Sequence, residues 1–206
     1  MKETIATELL AIGAVTLRPE DPYTWTSGIR SPMYCDNRLT LSYPLIRSHI
    51  ADAFCDILQS TYPAVECIAG TATAGISHAA LIADRLGLPM VYVRTSAKGH
   101  GKQNLIEGRL LRGQRTVVVE DTISTGGSAL AAVAALRAQQ VEVPLTLAIF
   151  DYGFAESKRA FVDAGVLLRT LTDFPALVDA GVRQGLISET DVARLLSFVQ
   201  DPKAYA

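Results

Sequence analysis

The sequence predicts an α/β protein in which helices cover both faces of a parallel β-sheet. Short apolar runs at Val65–Ala69, Met90–Val93, Thr116–Val119 and Leu145–Phe150 alternate with stretches of helical periodicity, and Val166–Leu171 is a candidate fifth strand. This alternation is typical of βαβ units, and continuous apolar runs are typical of strands that are buried on both faces. The chain has 206 residues, 49% of them hydrophobic and 19% charged, which excludes a disordered protein.

The predicted helices lie before and between these runs. They are expected over residues 2–13, from Pro44 onward, up to about Leu86, up to about Gln140 and over 189–199. Ser188 and Asp191 predict a capping box at the start of the last helix. A turn-rich stretch with several prolines separates the first helix from the second. No repeat or linker interrupts this order, so we expect one domain over 1–206.

Charged residues are nearly balanced, with 19 Lys+Arg against 21 Asp+Glu and a formal net charge of -2. A duplex nucleic-acid binder needs a broad basic face, so the balance argues against this class of partner. No run approaches the roughly 18 to 20 apolar residues that cross a bilayer, which argues against a membrane protein. The N-terminus lacks the features of a signal peptide, and Cys35, Cys55 and Cys67 form no Cys-x-x-Cys pair. We therefore expect a cytoplasmic protein with reduced thiols.

The strongest chemical signal is the segment Glu120–Ser128, which reads EDTISTGGS and directly follows a predicted strand. Its glycines and hydroxyl side chains open a helix, and the N–H groups at a helix N-terminus favour a phosphate. Two carboxylates repel a simple polyphosphate, but they accept hydrogen bonds from a sugar diol. The segment therefore predicts a ligand that combines a diol with a phosphate. The alternative is an ordinary strand-to-helix turn with Ser and Thr caps.

A second signal is the basic segment that begins at Arg94 and continues to about Gly108. Lys98, His100 and Lys102 lie within it, together with two glycines that allow movement. A basic flap suits a departing pyrophosphate, because closing donors neutralise its charge and exclude water. On composition alone, a solvated surface loop is the more common interpretation. Its position after a parallel strand favours the flap, since ligands bind at that end of an open sheet.

The Glu120–Ser128 segment resembles the phosphoribosyl-pyrophosphate (PRPP) signature of the type I phosphoribosyltransferases. The resemblance implies the α/β fold of that family, a parallel sheet flanked by helices with a small N-terminal hood over about residues 1–45. It also implies that Glu120 and Asp121 hold the ribose hydroxyls and that the TGGS portion holds the 5-phosphate. The PRPP-binding residues it implies are Arg94, Lys98, His100, Glu120, Asp121, Thr122, Ile123, Ser124, Thr125, Gly126, Gly127 and Ser128.

Within that family, two segments are similar to the orotate phosphoribosyltransferases. They are the basic loop and the hood segment Trp25–Asp36, which contains S-G-I-R-S-P. The resemblance implies transfer of the phosphoribosyl group of PRPP to orotate, giving orotidine 5-monophosphate and pyrophosphate in de novo pyrimidine (UMP) biosynthesis. It implies a pentosyltransferase with catalytic residues Arg94, Lys98, His100 and Asp121, and with orotate contacts from Tyr34, Cys35 and Ser124.

The same resemblance implies Mg²⁺ as cofactor, held mainly through PRPP and water and not by protein ligands. It implies a homodimer in which the 94–108 loop is shared across the interface. The loop Gly70–Gly75 is similar to a pyrophosphate contact of the family, although a plain strand-to-helix turn is about as common for such a sequence.

The chain also departs from the family pattern. Thr26, Ala74 and Thr95 stand where many members carry basic residues, and 151–153 lacks an arginine that often contacts orotate. Two rival functions remain open: transfer to another base, such as a purine, and a non-enzymatic PRPP sensor that regulates transcription. The hood segment argues against the first, and the basic loop has no use in the second.

Overall fold

The computed structural model describes residues 1–25, 28–94 and 105–205. The helices are α1 (Lys2–Ala11), a 3-10 helix (Asn37–Ser42), α2 (Pro44–Thr61), α3 (Ala74–Leu86), α4 (Gly127–Ala138), α5 (Ala155–Asp163), α6 (Phe174–Arg183) and α7 (Glu189–Gln200). The strands are β1 (Val15–Leu17), β2 (Tyr23–Thr24), β3 (Arg30–Ser31), β4 (Met33–Cys35), β5 (Cys67–Thr71), β6 (Met90–Val93), β7 (Ile106–Glu107), β8 (Arg115–Ile123), β9 (Glu142–Asp151) and β10 (Leu167–Asp173).

The central sheet has six strands in the order β10-β9-β8-β5-β6-β7. All neighbours in it are parallel except β7, which pairs antiparallel with β6 at the edge. The direction of strand succession reverses between β5 and β8, because β6 lies on one side of β5 and β9 lies beyond β8. In open α/β sheets, such a reversal opens a crevice at the carboxyl ends of the two strands, and ligands bind there.

Helices cover both faces of this sheet, as the apolar runs predict. Along β8, Val117 and Val119 face a core with residues of α1, α2, α3, α6 and α7, whereas Val118 faces a second core with α4 and α5. All three of these valines are fully buried. The alternation follows from the pleat, which turns successive side chains to opposite faces. The predicted α/β class and the fifth parallel strand are therefore confirmed.

Two differences from the sequence prediction matter for the site. The third parallel strand extends beyond Val119 to Ile123, so the two acids lie in the strand and not in the loop after it. Pairing with β9 continues as far as Ile123 and Asp151, and this ladder keeps the segment extended. The basic segment also ends in β7, which was predicted as loop. Helices α5 and α6 were not predicted either.

The N-terminal segment forms a small hood from two antiparallel pairs, β1 with β4 and β2 with β3. Its last strand leads directly into the 3-10 helix, which packs on β8 and α3. The C-terminal tail also holds the hood, because the hydroxyl of buried Tyr205 donates to the carbonyl oxygen of Pro19 at 3.1 Å. The hood therefore lies over the carboxyl edge of the sheet. None of the helices in the described ranges has the length and apolar character of a membrane span.

Candidate active site

The two acids at the end of β8 lie in different environments. Glu120 is buried, while the next residue along the strand, Asp121, is half-buried. Burial raises the pKa of the Glu120 carboxyl from 4.5 to about 7, with a hydrogen bond from Thr71 opposing the rise and the nearby Asp121 carboxyl adding to it. Near neutral pH, Glu120 thus changes its protonation state. This arrangement can bind hydroxyl donors.

The turn after β8 presents an uncapped helix N-terminus. Helix α4 begins at Gly127, and no side chain of the described residues caps its first turn. Gly126 has φ +81° and lies so close to Phe161 that an added Cβ would be 2.8 Å from its ring, so only glycine is accommodated. Thr125, Gly127 and Ser128 are exposed. Backbone N–H groups and hydroxyls therefore face solvent together at the positive end of the helix, which is the arrangement that binds a phosphate.

The turn after β5 packs very closely against the backbone of β8, next to the acids. An added Cβ on Gly75 would be 2.3 Å from the carbonyl oxygen of Val119 and 2.5 Å from Oγ1 of Thr71. The Thr71 hydroxyl donates to the same Val119 carbonyl at 3.2 Å. Glycine at position 75 lets α3 begin directly beside β8, so the loop reaches the residues next to Glu120. Its sequence alone did not distinguish this from a plain turn.

Arg94 links the end of β6 to this region. It lines a cavity of about 250 Å³ together with Thr71 of the β5 turn and Ser128 of the α4 N-terminus. Its guanidinium Nη1 is buried without a hydrogen-bond partner within the described ranges, and it lies 3.7 Å from a carboxylate oxygen of Glu107. The cavity thus joins a cation to the uncapped helix end. Lys98 and His100, the other predicted basic residues, lie outside the described residues.

The hood brings two polar residues to β8. The Cys35 sulfur lies 3.8 Å from the Thr122 hydroxyl oxygen, so this predicted orotate contact is adjacent to the acids. The amide of Asn37 donates to the Asp121 carbonyl oxygen at 3.0 Å and to the Thr122 hydroxyl at 2.9 Å. Burial raises the pKa of the Cys35 thiol to about 12, so it stays neutral and is no nucleophile. Tyr34, the preceding residue of the same strand, is exposed, and its ring lies 5.6 Å from the ring of Tyr23.

Sequence reasoning missed Asn37, which is fully buried and connects the hood to the acid strand. The remaining predicted residues of the Glu120–Ser128 segment are close together because they are contiguous. Ser124 is half-buried at the turn, whereas the Ile123 side chain packs in the second core. Ile123 can therefore reach a ligand only through its backbone, and its carbonyl already accepts from the Tyr152 N–H at 2.9 Å.

An aromatic group lies where the hood meets the end of β9. Tyr152 packs edge-on against Trp25 of the hood with ring centroids 5.5 Å apart, and it stacks on Phe154 at 5.3 Å. Burial raises the pKa of the Tyr152 hydroxyl, so it remains a neutral donor and acceptor. This residue stands in the 151–153 segment that lacks the expected arginine.

Comparison with known proteins agrees with this geometry. Residues 41–167 match the family described as phosphoribosyl transferase domain. The chain belongs to this family. It is 52% identical over 204 residues to an orotate phosphoribosyltransferase of Halalkalibacterium halodurans, an alignment that covers 99% of this chain and 97% of the relative.

Solved structures of the family superpose on the fold. A crystal structure of orotate phosphoribosyltransferase from Aeropyrum pernix has a TM-score of 0.77 and 30% identity, covering 89% of this chain and 99% of that one. An orotate phosphoribosyltransferase of Mycobacterium tuberculosis, solved in complex with PRPP, has a TM-score of 0.65 and 25% identity. That comparison covers 88% of this chain and 99% of the other. The family thus includes a member with PRPP bound.

Proposed function

We infer that this chain is an orotate phosphoribosyltransferase, which transfers the phosphoribosyl group of PRPP to orotate in pyrimidine biosynthesis. The products are orotidine 5-monophosphate and pyrophosphate. The observation that carries the inference is the meeting of three anchors at one crevice. Acids at the end of β8 suit the ribose diol, the uncapped start of α4 suits the 5-phosphate, and half-buried Arg94 suits the diphosphate. Full-length relatives at about half identity carry the same activity in their names.

In the reaction, the bond between the anomeric carbon and the diphosphate oxygen breaks, and a bond from that carbon to N1 of orotate forms. The N1 proton leaves orotate, and the bonding electrons depart with pyrophosphate. The protein's contribution is positioning and charge stabilisation, which explains why no nucleophile is needed. We propose that Glu120 and Asp121 fix the ribose hydroxyls and that Thr125–Ser128 hold the 5-phosphate.

The departing pyrophosphate needs cations and a proton. We propose that Arg94, Lys98 and His100 neutralise it, with Lys98 or His100 as the proton donor, on the resemblance of the basic loop. Half-buried Arg94 supports this assignment, because its partly unpaired guanidinium lines the cavity beside the α4 N-terminus.

For the base, we propose contacts from Tyr34, Cys35 and Ser124. The Cys35 thiol supports this, since it lies beside Thr122 and directly over the acid strand. A neutral thiol and small hydroxyls suit the carbonyl and N–H groups of a pyrimidine.

We propose Mg²⁺ as the cofactor, carried mainly by the diphosphate and water. This form of binding suits Mg²⁺, because the ion binds substrate phosphates and keeps several waters, so it needs few protein ligands. Within the described ranges, no group of three or more candidate ligands forms a protein-only metal cage. When bound, the ion supplies charge neutralisation for the leaving diphosphate.

We further propose that the chain forms one domain over 1–206, acts as a homodimer with the 94–108 loop shared between subunits, and works in the cytoplasm. A single sheet with a core on each face supports the one-domain assignment. The assembly rests on the family resemblance, and gel filtration with light scattering would test it: a monomeric mass would exclude the shared loop.

The deciding experiment follows the ultraviolet absorbance of orotate with purified protein, PRPP and Mg²⁺. We expect absorbance to fall only when all four components are present. The same assay with a panel of other purine and pyrimidine bases tests the alternative that the enzyme transfers the phosphoribosyl group to a base other than orotate. PRPP binding without turnover of any base would support the sensor, and absence of PRPP binding would overturn the whole assignment.

A further inference from the structure

His78 presents an anomaly close to the acid strand. It lies in the second turn of α3 and is 1% exposed, yet neither ring nitrogen has a hydrogen-bond partner within the described ranges. Buried polar groups are nearly always paired, and an unpaired one costs free energy. Its position is unusual too, since the other residues that α3 buries, such as Ala79 and Ile82, are apolar. Because an unpaired buried imidazole costs free energy, the presence of His78 at this position points to a hydrogen-bonding function.

A second buried polar atom without a hydrogen-bond partner in the described residues lies on the neighbouring 3-10 helix. The Asn37 side chain uses its amide nitrogen on Asp121 and Thr122, but its buried Oδ1 has no partner in the described part of the chain. The 3-10 helix that begins at Asn37 packs against α3, and both pack against β8. Two unpaired groups of complementary character thus occur among three elements in mutual contact. A neutral imidazole has one N–H donor and one acceptor, and the amide oxygen is an acceptor.

The ring is neutral across the range in which enzymes work. Burial lowers the pKa of His78 to about 4, and the Asp121 carboxylate is close enough to oppose the shift. The imidazole is therefore neither a cation for pyrophosphate nor a general acid. Its one N–H remains available as a hydrogen-bond donor at neutral pH.

We propose that His78 is a positioning residue for PRPP binding, which links α3 through the Oδ1 of Asn37 to the backbone of Asp121 and the hydroxyl of Thr122. The link is made by the imidazole N–H through one ordered water, since the two groups form no direct hydrogen bond with each other. It ties the helix that follows the β5 turn to the strand that carries the acids, so that the diphosphate and diol contacts keep a fixed separation. The proposal rests on the proposed function, because its readout is PRPP affinity.

The test compares His78→Leu with His78→Gln. Leucine fills the space without a polar atom, so His78→Leu should keep or raise the melting temperature, yet weaken PRPP binding about three- to tenfold, the equivalent of one lost hydrogen bond. Glutamine restores a donor and an acceptor and should recover most of the affinity. His49→Gln is the control, since the exposed His49 of α2 pairs with Glu8 of α1 and not with the residues of β8, and its replacement should leave affinity unchanged.

Binding is measured by calorimetry on the full chain, with turnover of orotate by the unaltered protein established first. If the unaltered protein is active and His78→Leu binds PRPP as tightly, the positioning role is overturned while the proposed function stands. The proposal is also overturned if His78→Leu and His78→Gln both fold and bind PRPP equally weakly. In that case, a polar side chain at position 78 makes no difference to the affinity.

A measurement on the unaltered protein covers the case in which His78→Leu fails to fold. In ¹⁵N spectra of the imidazoles, the link predicts a single neutral tautomer at His78 with a slowly exchanging N–H, and a shift of its signal when PRPP binds. A signal that does not respond to saturating PRPP would contradict the proposal.

Discussion

We expect Glu120 to make PRPP binding depend on pH, because only the ionised carboxyl offers both oxygens purely as hydrogen-bond acceptors. Burial raises its pKa to about 7 in the free protein. With that pKa, roughly a tenth of the molecules carry the carboxylate at pH 6 and roughly nine tenths at pH 8. If the ribose diol requires the carboxylate, the Kd for PRPP should fall by about tenfold over this range through Glu120 alone.

The assay is calorimetric titration of PRPP at constant Mg²⁺ from pH 6 to pH 8, with the Glu120→Gln variant as the matched control. Glutamine has the same shape and still accepts through its amide oxygen, but it does not titrate. The ionisation of PRPP itself contributes equally in both proteins, so the difference between the two curves reports Glu120. Parallel curves would refute the assignment of this buried acid to the diol.

Stability of the free protein gives a second readout with a defined sign. Because the pKa is 4.5 in the unfolded chain and about 7 when folded, the folded state binds the proton more tightly. Stability is therefore lost as pH rises from 4.5, and the loss is complete above about pH 7, where it amounts to about 3 kcal/mol. In urea titrations, Glu120→Gln should match the unaltered protein near pH 4.5 and exceed it at pH 8.5. A difference that does not vary with pH would contradict this cause.

Three further predictions concern the neighbouring elements. Gly75→Ala places a Cβ 2.3 Å from the Val119 carbonyl oxygen, which forces a shift of about 1 Å, and kcat/KM should fall about 10²-fold. Gly87→Ala is its control: φ is +63° with open space, so melting temperature should drop while kcat/KM stays the same. Asp121→Asn should mainly weaken PRPP binding in calorimetry, and unchanged affinity would count against its diol role. Lys98→Ala should lose about 10²–10³ of turnover yet still bind PRPP, and near-normal turnover would remove the loop from the mechanism.

The parallel sheet was predictable because its strands are buried on both faces, which leaves continuous apolar runs. Met90–Val93 was predicted with its observed bounds, and the capping box at Ser188 was confirmed. The extension of β8 through the acids was not predictable from local pattern. Charged residues in a strand weaken its apolar signal, and pairing with β9 supplies the missing stabilisation. Helix α6 did carry a readable signal, since Asp173 caps it and a proline occupies its first turn.

The part of the candidate site that is contiguous in the sequence was predictable. The part that depends on contacts between residues far apart in the chain was not. The residues of Glu120–Ser128 are contiguous, so the local motif was sufficient to indicate a strand that leads into a helix N-terminus. Asn37 contacts residues more than eighty positions away, and nothing in its local sequence indicates burial. His78 is equally hidden, because a lone histidine among apolar helix residues is indistinguishable from an ordinary core residue until its missing partners are seen.

The position of Asn37 explains why the hood and the acids belong to one functional unit. Its side chain donates to the Asp121 carbonyl and the Thr122 hydroxyl, while the strand just before it carries Cys35 to the same hydroxyl. A displacement of the hood would therefore move together the Cys35 thiol, which we propose contacts the base, and the backbone of Asp121, which we propose binds the diol. Binding at either part of the crevice should then favour the geometry needed at the other. For a reaction without a covalent intermediate, in which rate depends on the alignment of two substrates, we propose that this shared anchor contributes to the alignment.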